Sequence, residues 1–334
     1  MSPSAAIDGV LVEWGDRLFY PGNRIVKSRS PRLRSLQGRA DVIRRRIEAT
    51  VRRAPQAMVK VTGGRRGMNA IAAHLRYISK NGRLPIEDDR GMVEKGADAV
   101  RDIARQWQFG GSYIGGVSHR REAFNVMLSM PRGTDPLILQ EAAREFAKIE
   151  FADHRFVMVL HGHQANPHMH VSVKAESKDG KRLNPRKEDL HRWRETFAER
   201  LRELGIDAEA TRQATRGVVR NYPDLWRKRA GEEGRERVPR LERKTGAAAT
   251  ESRKSAGHAW AVIAQALRES PDLHDQRLGL SIERFVTGRS LDRQVANKAA
   301  ARAATGYRVD LVAFDVARTW RKAGAACGRV RFAC

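Results

Sequence analysis

The chain has 334 residues and a formal net charge of +25, from 64 Lys and Arg against 39 Asp and Glu, with a pI near 11.0. That length accommodates one large domain or two ordinary ones with a real core, and that charge marks a surface that attracts polyanions, nucleic acid foremost. Two cysteines, Cys327 and Cys334, rule out a disulfide framework, and no apolar run is long enough to span a bilayer, so the expected setting is the cytoplasm with no membrane insertion.

Residues 1–55 are Arg-rich and poorly periodic around Ser28-Arg29-Ser30-Pro31-Arg32-Leu33-Arg34, which predicts a flexible basic arm with a helix near 40–51. An ordered domain over 56–224 opens with a strand at 57–61, then Gly63-Gly64-Arg65-Arg66-Gly67, then a helix over 68–79. The glycine-rich stretch lacks the Gly-Lys-Ser/Thr ending of a nucleotide-binding loop, and Asn81-Gly82 is a strong break. A second helix is expected over 95–107 and a strand over 123–130. Asp135 then caps a helix over 137–149, with Pro136 at its first position. Two strands at 156–160 and 171–173 come next, followed by a helix over 187–204 that stops at Gly205. This order predicts an α+β fold, an antiparallel or mixed central sheet with helices packed on one side of it. Beyond residue 225 the composition shifts to Ala, Arg, Glu and Lys. Residues 225–334 read as a helical accessory region or a partly disordered tail, with helix-like stretches at 256–269 and 294–304 on either side of Ser270-Pro271-Asp272.

The chemistry concentrates in Leu160-His161-Gly162-His163-Gln164-Ala165-Asn166-Pro167-His168-Met169-His170-Val171, which holds four of the ten histidines. In a strand, alternate side chains share a face, so His168 and His170 point the same way. A hairpin turning through 162–167 brings His161 opposite them. Three imidazoles then converge as a catalytic metal with open positions requires, and their donor type suits Zn, Mn, Co or Ni. A closed structural site is disfavoured, because cysteine ligands are lacking. His163 is a candidate fourth ligand or outer partner of the site, against a solvent-facing loop residue.

Tyr77, in His74-Leu75-Arg76-Tyr77-Ile78-Ser79-Lys80, closes the first helix of the ordered domain between two cations. A phenol titrates near 10, so it attacks at neutral pH only if its anion is stabilised by such neighbours or by a metal-bound phosphate. The alternative is a core tyrosine at a helix end.

Together the motifs resemble those of the HUH-type conjugative relaxases, in particular the VirD-like, MOBP-type mobilisation nucleases related to the T-DNA border endonucleases. His161, six residues, then His168-Met169-His170 matches the metal motif. Tyr77-Ile78-Ser79-Lys80 matches the nucleophile motif, and Ser129-Met130-Pro131-Arg132-Gly133 matches the middle motif with one residue removed. The resemblance runs from about residue 57 to 217. It implies a relaxase-like fold, with Tyr77 as nucleophile and Ser129 beside the phosphate or positioning the strand. The metal would be held by His161, His168 and His170, with Mg or Mn the expected ion. Two positions after the first histidine, where the family often has an acid, this chain has His163. Glu150 and Asp153 are then the candidate bases for Tyr77.

The activity implied is nicking of one strand at an origin of transfer, leaving a 5′-phosphotyrosyl adduct. The implied partners are single-stranded origin DNA, accessory DNA-binding proteins and a type IV secretion coupling protein. The implied location is the bacterial cytoplasm, extending to translocation with the DNA. Arg65, Arg66, Arg76 and Lys80 are candidate DNA contacts, as are Arg192 and Arg194 flanking Trp193, and the stretch His119-Arg120-Arg121. Three competing readings stand beside this one. They are a rolling-circle replication initiator, a histidine-metal hydrolase using water, and a silent DNA-binding protein of the same fold.

Overall fold

The computed structural model describes residues 3–20, 35–162, 166–218 and 245–303, with side chains described between residues 4 and 288 of these. It divides into two units. One is the continuous stretch Arg53–Ala210, and the other is built from the chain on either side of it.

The continuous unit holds a six-stranded sheet in the order β1-β4-β6-β5-β2-β3. The strands are β1 Met58–Arg65, β2 Ile86–Asp88, β3 Val93–Glu94, β4 Ala123–Ser129, β5 His154–His161 and β6 His168–Ser177. Every neighbouring pair is antiparallel, which settles the antiparallel-or-mixed expectation. The strands β2 and β3 are too short to show a period and were not expected from the sequence.

Helices cover both faces rather than the one side expected, because the element order does not say which face each helix crosses to. On one face, α5 (Pro136–Glu150) and α6 (Lys187–Glu203) bury Phe146, Ala147, Trp193, Phe197 and Leu201 against Val126, Leu128, Met158, Met169 and Val171. On the other, α3 (Met68–Ile78) and α4 (Ala97–Phe109) bury Ile71, Leu75, Ile78, Ile103 and Trp107 against Val157 and Val159. The two sets interleave along β5, as the period of two requires. Asp135 accepts from Leu137 N at 2.8 Å with Pro136 at the first helical position, which is the expected start of α5.

Helix α3 ends in a tight left-handed turn. Lys80, Asn81 and Gly82 have φ of 51°, 58° and 81°, and Ser79 Oγ accepts from Gly82 N at 3.1 Å. A Cβ on Gly82 would lie 2.3 Å from the Gly96 carbonyl carbon. Gly82→Ala should therefore destabilise the unit by about 2 kcal/mol or more, since a left-handed Cβ alone costs about 1–2 kcal/mol. A denaturant midpoint unchanged from the parent would contradict that close approach.

The second unit corrects the expected flexible arm. Its described residues are helical: α1 Pro3–Phe19 and α2 Leu36–Val51, with α7 Ala247–Arg268 and α8 Leu273–Ala303. They share a core of Leu11, Leu18, Phe19, Ile43, Ile47, Trp260, Ile263, Leu267 and Ile282. The Arg44 guanidinium bonds Asp8 at 2.8 Å and Asp275 at 2.8 and 3.0 Å, tying the first two helices to α8. An arginine-rich stretch reads as solvated when its apolar partners lie more than 200 residues away in sequence. The helix break expected at Ser270-Pro271-Asp272 falls between α7 and α8, while the Ser28–Arg34 stretch and both cysteines lie outside the described residues. Among the described residues, no helix is long and apolar enough to cross a membrane.

Candidate metal centre and nucleophile

The histidine motif sits where β5 ends and β6 begins. Register places His161 directly opposite His168, and Val159 opposite His170, so all three imidazoles emerge on the α3/α4 face of the sheet. Their ring centroids are 4.6–5.0 Å apart, and one nitrogen from each lies within 4.8 Å of the others. His161 and His168 are buried. The three nitrogens thus converge as the sequence predicted.

Hydrogen bonds on the outer ring nitrogens orient two of the three. His161 Nε2 donates to the Ile78 carbonyl at 2.7 Å, and His168 Nδ1 donates to the Asn166 carbonyl at 3.1 Å. A carbonyl only accepts, so each ring carries its proton there and presents the other nitrogen as a lone pair. Burial first, then the neighbouring His161, His168 and His74, push His170 down to about 3, which keeps it neutral at physiological pH. Converging imidazoles, two of them with carbonyl-anchored outer nitrogens, are the arrangement a bound metal ion needs, and the residues present fit one.

Ser129 ends β4 beside His168 in the register. Its hydroxyl donates to the Pro167 carbonyl at 3.3 Å, and Met130 N donates to the same oxygen at 3.2 Å. Ser129 therefore braces the last residue of the hairpin loop. His163 lies outside the described residues.

Tyr77 is 73% exposed on the last turn of α3. The bond from His161 falls on the carbonyl of the next residue, Ile78, so the helix end that carries Tyr77 is docked on the histidine cluster. Around Tyr77 an open cleft is lined by Arg76, Lys80, Asn81 and Arg83. Arg76 and Lys80 were expected there, whereas Arg83 lies past the Asn81-Gly82 break, and only the left-handed turn brings it back.

Other expectations do not reach this face. Arg192 and Arg194 lie on α6, on the opposite side of the sheet. Arg192 is paired with Glu150 at 3.0 Å and Asp189 at 2.9 Å, and Arg194 Nε donates to the Leu190 carbonyl at 2.9 Å. Trp193 between them is a core residue, edge-on to Phe151 at 5.1 Å, not a stacking platform. Alternating aromatic and cation mimics a nucleic-acid surface in sequence, but on this helix the period buries the aromatic and turns its neighbours aside. The candidate bases are misplaced too. Glu150 accepts from Arg192 and Thr196 at the end of α5. Asp153 precedes the start of β5, roughly 25 Å along an eight-residue strand from His161. Arg120 is bound by Glu122 at 2.9 Å.

One residue that joins the site carried little signal in the sequence. His74, one turn before Tyr77, is buried, and its ring lies 6.3 Å from the tyrosine ring in a stacked orientation. Burial and the nearby Arg65 cation push His74 down to about 4. Arg65, expected to contact DNA, instead holds His74 Nδ1 through its Nη2 at 3.2 Å, while Arg66 is exposed in the turn before α3.

Residues 82–206 match the family model described as "Relaxase: MobA/VirD2-like, nuclease domain". That stretch holds the three histidines and Ser129 and begins just after Tyr77. The chain is also 26% identical over 184 residues to the T-DNA border endonuclease VirD2 of Rhizobium radiobacter, an alignment covering 49% of this chain and 43% of that protein. The chain thus spans less than half the length of this relative.

Proposed function

From the match of residues 82–206 to the MobA/VirD2-like relaxase nuclease-domain family, we propose that the chain is a relaxase that nicks one DNA strand at an origin of transfer through attack by Tyr77. The setting would be mobilisation of a conjugative plasmid or element in the bacterial cytoplasm. Accessory DNA-binding proteins and a secretion coupling protein would be its partners, and the protein would travel with the DNA. The observation that carries the reading is the His161–Ile78 bond, which joins the metal-competent cluster to the helix end bearing Tyr77.

His161, His168 and His170 would hold a divalent ion, Mg or Mn, which supplies a Lewis acid for the scissile phosphate. Tyr77 loses its phenolic proton and its oxygen forms a bond to phosphorus. The bond from phosphorus to the 3′-oxygen breaks, and that oxygen takes up a proton. The product is a 5′-phosphotyrosyl strand and a free 3′-hydroxyl, with the phosphodiester energy conserved for resealing. Arg76, Lys80 and Arg83 line the cleft beside Tyr77 and would neutralise phosphates flanking the nick. Ser129 holds Pro167, and so fixes where His168 stands.

A labelled random-sequence single-stranded DNA pool, incubated with Mg or Mn, tests the reading. The expected product is a protein–DNA band that survives denaturation. Free DNA ends without that band would favour a water-using hydrolase, and no cleavage would overturn the nuclease reading.

The cleft cations give a further prediction. Replacing Arg76, Lys80 and Arg83 by Ala should weaken single-strand binding uniformly across sequences. It should also flatten the dependence of log affinity on log salt by about 0.7 per cation lost. Fluorescence anisotropy over a salt series, in a Tyr77→Phe background, reads both. The same changes at Arg192 and Arg194 should leave the slope as it was.

A further inference from the structure

Strand β1 is out of step with itself. Val59 and Val61 pack with the α5/α6 core, and simple alternation would send Gly63 and Arg65 to that same side. Between Val61 and Gly63 the register slips, because Val61 pairs with Val126 but Gly63 pairs with Asn125. Thr62 is the extra residue, and its hydroxyl donates to the Asn125 carbonyl at 3.2 Å. This bulge reverses the alternation, so Arg65 pairs with Ala123, a residue of the α3/α4 core. The guanidinium then reaches His74.

Arginine has donors and no acceptor, so the Arg65 Nη2 to His74 Nδ1 bond fixes the tautomer. His74 Nδ1 must be the bare nitrogen, and in the neutral ring Nε2 must carry the proton. That Nε2–H is buried and has no acceptor among the described residues, and the same is true of the Arg65 Nε–H. Two buried donors without acceptors, on linked side chains, call for an anionic oxygen. His74 is 7% exposed, its ring lies 6.3 Å from the Tyr77 ring, and His170 feels its field. It does not join the three nitrogens that lie within 4.8 Å of one another.

We propose that His74 Nε2–H is a hydrogen-bond donor to a non-bridging oxygen of the scissile phosphate, set in that tautomer by Arg65, which the β1 bulge turns onto the catalytic face. This rests on the nuclease reading and adds to it a contact outside the metal ligands. It also removes His74 from the possible bases for Tyr77. A ring with Nδ1 occupied by Arg65 and Nε2 already protonated has no lone pair to offer.

The test measures adduct formation by wild type, His74→Ala, His74→Gln and Arg65→Ala, each with its metal affinity. Its affinity for single-stranded DNA is measured in the Tyr77→Phe background. Loss of one preorganised donor should slow adduct formation at saturating DNA on the order of 10²-fold in His74→Ala, with metal and DNA affinity unchanged. His74→Gln, which keeps an N–H at similar reach, should recover most of the rate. Nitrogen-15 NMR of wild type alone should show His74 protonated at Nε2 and bare at Nδ1, whether or not the variants fold. An unaltered rate in His74→Ala would overturn the inference while leaving the nuclease reading in place. Reduced metal affinity would make His74 a ligand instead, and a protonated Nδ1 would end the argument outright. No adduct from wild type sinks the nuclease reading, and this inference with it.

Discussion

Tyr77→Phe should abolish the covalent protein–DNA species while leaving single-strand binding intact. The change removes one oxygen from a side chain that is 73% exposed, so neither packing nor the fold depends on it. What it removes is the atom that would bond to phosphorus. Losing the attacking group of a covalent enzyme costs on the order of 10⁶-fold in rate, because no neighbouring group replaces it. Tyr113 is on the loop after α4, Tyr20 packs in the helical unit, and Tyr222 and Tyr307 lie outside the described residues. Denaturing electrophoresis of labelled DNA reads the outcome directly. A persistent adduct in Tyr77→Phe would transfer the nucleophile's role elsewhere. Cleavage without any adduct, in parent and variant alike, would assign the attack to water.

His170→Ala should eliminate both metal binding and cleavage. Three imidazoles make the cluster, and removing one leaves two donors with no further ligand in the group. A ligand present at a hundredfold excess over its dissociation constant stabilises a protein by about 2.7 kcal/mol, so wild type should melt higher with metal and the variant should not. Titration calorimetry and thermal melts measure these separately. A metal-dependent rise in melting temperature that survives in His170→Ala would refute the site.

Without metal, the same residue makes the protein acid-sensitive. Unfolded, His170 titrates at its ordinary value of 6.5, whereas in the fold it is pushed down to about 3. Between those values the unfolded chain binds a proton that the folded chain refuses, so stability falls as pH drops from about 6.5 toward 3. His170→Gln should flatten that limb in melts taken over the pH series.

Much of the site was legible in the sequence because it is local. A period-two strand puts His168 and His170 on one face, and a short loop can only return His161 to their level; both statements need nothing beyond the chain's own geometry. The helix carrying Tyr77 was readable from its pattern and from the Asn81-Gly82 stop. The acidic bases and the Arg192–Arg194 pair were misplaced because each requires knowing which side of the sheet an element covers. Local pattern says how a helix is striped, not which face its stripe seeks. The flexible arm failed for a related reason. Helices α1 and α2 share their apolar core with α7 and α8, from which the whole of residues 53–210 separates them in sequence.

The histidine cluster was thus determined by the sequence alone, since its three members come from one hairpin and strand geometry leaves them no other arrangement. Its partners were decided only by the tertiary structure. His161 is oriented by a carbonyl 83 residues earlier in the chain, and the tyrosine's helix is docked by that same bond. His74 acquires its tautomer from an arginine that one extra residue in β1 turns to the histidine-bearing face of the sheet. A bulge changes the parity of everything after it, and parity in a strand becomes visible only when the partner strand is there to count against.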